Sequence, residues 1–144
     1  MAKLKYEKCF VTQDKPGYKY PSYEHPDPKY TKRVAYIDET TVKDAEFGSE
    51  NMWLLPGPKE LTLLDANTQP YDRFFGLYAY NYDNIRDLCA EAELYIGGEK
   101  HIVKKSFAMF IPANLEVGPL IIRNMTKPIF FTNEFPCGKA VKKK

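Results

Sequence analysis

Polar and apolar residues alternate from Glu91 to Ile96, with Glu91, Glu93 and Tyr95 set against Ala92, Leu94 and Ile96. A period of two predicts a half-buried strand. Gly97-Gly98 follows, and glycine accepts the positive φ of a tight hairpin turn. A second strand is expected over His101 to Lys105, which carries the β-branched pair Ile102-Val103. Phe107 to Ile111 is almost unbroken apolar sequence, the pattern of a strand buried on both faces. Pro112 cannot donate to a ladder and Asn114 tolerates a left-handed turn, so the strand is expected to stop there. Leu120 to Arg123 resumes as a strand.

The same patterning extends along the rest of the chain. Arg33 to Asp38 is the first expected strand, and Thr41 to Phe47 is expected to continue it after a turn. Met52 to Leu55 and Leu61 to Leu64 are short apolar strands, and Asp65 to Pro70 has loop composition. Tyr71 to Tyr80 is a long aromatic strand with Tyr71, Arg73, Phe75 and Leu77 on one face and Asp72, Phe74, Gly76 and Tyr78 on the other. Asn81 to Leu88 reads as a loop or one helical turn. Pro128 to Thr132 is the last strand, with the chain beyond Asn133 expected at an edge or loose. Roughly nine short strands and no comparable helical spacing predict an all-β sandwich or barrel.

Composition sharpens this picture. The 144 residues suffice for one domain with a sizeable core, and 15% aromatic content suits a pleated surface. Residues 1–32 read as an extended arm, since Tyr18, Tyr20, Tyr23 and Tyr30 are interleaved with Pro16, Pro21, Pro26 and Pro28. Its rings are expected to lie on the domain's own barrel, with a partner subunit as the alternative. Residues 33–133 form the barrel and 134–144 a basic tail. A net charge of +2 gives no reason to expect nucleic acid. No apolar run has the length of a membrane span, and MAKLKYEKCF has no apolar segment of the signal-peptide kind. Three cysteines at unrelated spacings read as free thiols in a reducing compartment, so a cytoplasmic location is expected.

The run Phe110-Ile111-Pro112-Ala113-Asn114-Leu115-Glu116-Val117 resembles the second conserved motif of the cupin family, Pro-x-Gly-x-x-His. Asn114 stands in place of the motif's Gly and Val117 in place of its metal-binding His. Asn67 to Arg73 matches the first cupin motif in order and distance, with Asn67 and Gln69 where two histidines would stand and Arg73 where the carboxylate would. The resemblance extends from Arg33 to Thr132. It implies a conical double-stranded β-helix, a jelly-roll barrel, with a metal at one mouth held by three histidines and a glutamate. Amide oxygens replace imidazole poorly, Val has no lone pair and Arg repels a cation. The chain has only His25 and His101. The resemblance therefore implies a cupin without its metal site, and no metal or cofactor is expected.

In that frame Asn67, Gln69, Tyr71 and Arg73 project inward with Phe75, beside Val117, and form a candidate site for a small polar or anionic ligand. Glu91 and Glu93 lie about 7 Å apart on one strand face. They are either further ligand contacts or ion-pair partners of Arg73, Arg86 or lysines. His101 and His25 read as surface residues and Cys89 as an inert thiol. The expected function is a metal-free ligand-binding protein, paired as a homodimer, with no membrane or nucleic-acid partner. A cupin enzyme using non-standard metal ligands or acid/base residues is the alternative, and a structural homodimer with a filled barrel is a third.

Overall fold

The computed structural model describes residues 4–12, 14 and 20–142. Pro16 and Tyr18 of the arm and the lysines at 143 and 144 lie outside the described residues. The strands are β1 (Thr31–Ile37), β2 (Phe47–Leu54), β3 (Glu60–Leu64), β4 (Arg73–Ala79), β5 (Asp87–Ile96), β6 (Glu99–Lys105), β7 (Phe107–Ile111), β8 (Val117–Arg123) and β9 (Ile129–Pro136). The only helices among the described residues are a short turn at Glu7–Cys9 and one at Lys139–Lys142. No helix there is long and apolar enough to cross a membrane.

Two antiparallel sheets carry the fold, in the orders β1-β2-β9-β4-β7 and β3-β8-β5-β6. Leaving β1 aside, the chain alternates between sheets except at the β5–β6 hairpin, so that two four-stranded faces are interleaved as in a jelly roll. The sheets oppose each other as a sandwich and are not hydrogen-bonded into a closed barrel. Their inner faces meet in one core. Leu54, Leu77, Leu88, Ala92, Leu120 and Ile129 are completely buried, each worth about 1.5–3 kcal/mol for the larger side chains.

Local sequence explains most of these elements. Gly97 and Gly98 both have positive φ, 56° and 81°, and close the two-residue β5–β6 hairpin. Asn114 sits at φ 70°, the left-handed turn expected of it after β7. On β4, Arg73, Phe75 and Leu77 face inward while Phe74 and Tyr78 face out.

Three expectations are corrected. Phe107–Ile111 is not covered on both faces: β7 is an edge strand, and Phe110 is 61% exposed on its open side. The chain beyond Asn133 is neither loose nor an edge, because β9 continues to Pro136 between β2 and β4. Residues 41–46 do not extend the first strand. Asp38 holds a turn there, accepting from Thr40 N (2.8 Å) at Oδ1 and from Val42 N (2.9 Å) at its carbonyl.

Of the arm, residues 20–25 run along the protein's own core. Tyr20 and Tyr23 pack against it. Glu24 bridges to Leu64, with His25 N donating to Leu63 O (2.9 Å) and Asp65 N to Tyr23 O (2.7 Å). This segment crosses one end of the sandwich as a strap.

Candidate functional site

The inner face of the five-stranded sheet changes character under the strap. Toward one end it is apolar, with Met52, Leu54, Leu77 and Phe131. Toward the other, the cross-strand register sets Tyr36, Glu50, Asn133 and Phe75 in one row across β1, β2, β9 and β4. Arg73 opens β4 beside this row, and Glu24 descends from the strap. Phe135 lies over Gly48, where a Cβ would collide with its ring and with Ile37 O. Pro21, Tyr23, Glu24, Tyr36, Glu50, Tyr71, Arg73, Asn133 and Phe135 line a partly open cavity of about 120 Å³.

Its charges are buried. Glu50 is 1% exposed, Arg73 7% and Glu24 9%. Nε and Nη2 of Arg73 and Oε2 of Glu50 have no hydrogen-bond partner among the described residues. Arg33 Nη1 lies 3.8 Å from Glu50 Oε2, and Arg33 also bonds Asp14. Buried polar groups are normally satisfied, so unmet donors and acceptors around one cavity need a reason.

The carboxyls of Glu24 and Glu50 line the same cavity. Burial, then the neighbouring Glu50 charge, pushes Glu24 up to about 8, against the pull of Arg33 and Arg73. Burial pushes Glu50 up to about 7, opposed by Arg33 and by bonds to Asn133 and Glu24, and assisted by Asp14. Two carboxylates this close in a dry site share a proton rather than both ionise. Burial also drives Tyr23 up to about 12 and raises Tyr71 and Tyr20. It lowers Arg73, which Tyr23, Tyr71 and Glu24 counteract.

The residues picked out from sequence divide. Tyr71 and Arg73 line the cavity. Phe75 lies beside it as core, with its ring 6.2 Å from Phe107 and 5.9 Å from Phe131. Asn67 and Val117 do meet, through paired backbone bonds of 2.8 and 2.9 Å, but away from the cavity lining. The Asn67 amide is used on Asp65 O (3.0 Å), and Gln69 Nε2 donates to Asn67 Oδ1 (3.3 Å). Glu91 and Glu93 point outward from β5, where Leu88, Ala90, Ala92 and Leu94 take the inner face. Glu93 pairs with Arg123 Nη1 (2.9 Å) and Lys100 Nζ (3.4 Å), not with Arg73. Glu91 accepts from Asn124 (3.3 Å).

Glu24, Glu50, Tyr36 and Asn133 were not picked out. For Glu50 a signal existed: Gly48, Glu50, Met52 and Leu54 alternate as one buried face of β2. Glu24 has no local signal, because only the strap's course brings it inside.

The donor set does not fit the metal that a cupin-like fold implies. Val117 is 1% exposed with only methyl groups to offer, the Asn67 amide is committed to a backbone carbonyl, and Arg73 places a cation inside. His25 bonds Asp65 (2.7 Å) and His101 bonds Glu99 (2.6 Å), on separate elements. No group of three or more His, Cys, Asp or Glu is placed to hold a metal among the described residues.

Fold and cavity together define a jelly-roll protein with a charged pocket at one end of its sandwich. No protein-family profile and no curated protein matches the chain. Solved structures do. A cupin protein from Bacteroides fragilis is 12% identical, with a TM-score of 0.48 over 87% of this chain and 92% of that one. KdgF from Halomonas sp. is 11% identical, with a TM-score of 0.46 over 84% and 91%. The polyketide cyclase RemF from Streptomyces resistomycificus is 13% identical, with a TM-score of 0.47 over 76% and 67%.

Proposed function

We propose that this protein binds a small organic anion in the cavity under the strap, without a metal. The observation that carries the reading is Arg73: a buried cation with two unmet donor atoms beside a cavity. A buried guanidinium without partners is costly, and a carboxylate gripped in bidentate fashion offsets that cost. At about 30 Å³ per liquid water, the cavity holds the equivalent of about four waters, so the ligand is small. The reading keeps the chain as a homodimer, for which the open sheet edges at β1, β7, β3 and β6 provide the surface.

Calorimetry and thermal melting with short carboxylic acids and inorganic phosphate test it, on the wild type and on Arg73→Met. A carboxylate should bind the wild type and lose about tenfold to a hundredfold in affinity in Arg73→Met, the usual range for a hydrogen bond to a charged group. Binding that survives Arg73→Met unchanged would make Arg73 structural and sink the reading.

A further inference from the structure

We propose that the anion is a short hydroxy acid, its carboxylate held by Arg73 and its hydroxyl by Glu50. This rests on the reading that the cavity binds a small anion, and goes further by naming the second group the ligand must carry. The unmet atoms around the cavity specify the complement. Arg73 offers Nε and Nη2, the two nitrogens on one edge of the guanidinium, and that edge grips a carboxylate side-on. Glu50 offers Oε2, a buried acceptor with no hydrogen-bond partner among the described residues. Two adjacent donors call for an anion with two oxygens, and one acceptor calls for a donor. A hydroxyl beside a carboxylate supplies both.

The surroundings agree with this assignment. Both side chains line the same cavity of about 120 Å³, so one occupant of a few atoms reaches both. Glu50 is paired across the sheet with Asn133 and lies with Glu24 in the cavity lining, and its Oε2 has Arg33 Nη1 near it, at 3.8 Å, beyond hydrogen-bond distance. The neighbouring rings of Tyr23, Tyr36, Tyr71 and Phe135 provide walls for a short carbon chain. Above about pH 7, where Glu50 has given up its proton, a ligand with a carbonyl in place of the hydroxyl cannot donate and would leave Oε2 without a hydrogen bond and facing a lone pair. A plain alkyl acid would leave Oε2 buried without a hydrogen bond, with Arg33 Nη1 near it at 3.8 Å. An amine in place of the hydroxyl could donate, but its charge would stand in the field of Arg73 and Arg33.

Three probes of nearly equal size separate the possibilities: lactate, pyruvate and propionate, each titrated into the full-length protein by calorimetry. Lactate should bind at least about tenfold more tightly than propionate and pyruvate. Glu50→Met should bring lactate down to the level of propionate, and Arg73→Met should weaken both. If Glu50→Met does not fold, the comparison of the three acids on the wild type decides alone. Propionate binding as tightly as lactate would overturn the hydroxyl assignment and leave the anion site standing. No binding by any of the three, with none by acetate or phosphate, would overturn both.

Discussion

Glu50 on β2 and Glu93 on β5 are the same residue type on non-edge strands of the two sheets, and their fates differ. Glu93 points away from the core. It meets Arg123 at 2.9 Å and Lys100 at 3.4 Å across the outer face of its sheet, and Arg123 reaches on to Glu60 at 3.0 Å. That cluster is balanced in charge, and Lys100, Arg123 and Glu60 keep it in reach of solvent although the Glu93 side chain is only 13% exposed. Glu50 points inward, where it is 1% exposed and meets a second carboxyl, Glu24. One acid is neutralised by partners and water, while the other is kept from ionising by burial and by a like neighbour. The difference is one of sheet face rather than residue chemistry. The outer acid is paired with cations on the outer face of its sheet, and burial holds the inner two acids above the ordinary carboxylate range.

The contrast breaks most sharply at Arg73. Arg73→Met should reduce carboxylate affinity by about tenfold or more, whereas Arg123→Met on the outer face should leave affinity unchanged. Equal losses in both variants would mean that the inner cluster has no special role.

A smaller effect concerns pH. Glu24 and Glu50 are raised in the folded state, to about 8 and about 7 from 4.5. The folded protein therefore keeps protons that the unfolded chain releases once pH passes about 4.5. Stability from this pair is fully present below that point and is lost as pH rises through 7 to 8, the reverse of an ion-paired acid. Across that window thermal or urea unfolding should show a decline on the order of 1 kcal/mol per pH unit. Glu24→Gln should flatten the decline and stabilise the protein at pH 8. A wild type that grows more stable from pH 5 to 8 would contradict the buried pair. The smallest effect belongs to Glu93→Gln, which should barely move the melting temperature and should do so less in high salt. A large loss there would show that the outer network holds the fold.

The sequence made the scaffold legible because local chemistry determined it. The Gly97-Gly98 hairpin, the left-handed Asn114 and the alternation on β4 each follow from residue type and period, and Arg73 was placed inside on that basis. The candidate site was legible only in part. Period two shows that Glu91 and Glu93 share a face but not which face, since a one-residue slip exchanges core and solvent sides. Their apolar neighbours Ala92 and Leu94 bury more surface and take the core. Asn133 was missed because PIFFT reads as a complete strand, yet pairing with both β2 and β4 carries β9 on to Pro136. Glu24 depends on backbone bonds between the strap and residues 63–65, contacts that no local pattern encodes.

The most direct test is a carbon-13 NMR titration of the glutamate side-chain carboxyls in the wild type, assigned with Glu24→Gln and Glu50→Gln. Two resonances, those of Glu24 and Glu50, should titrate above pH 6 and be coupled to each other. Glutamates that all titrate below about pH 5.5, near the ordinary value of about 4.3, would contradict the proton-sharing pair on which the interior site depends.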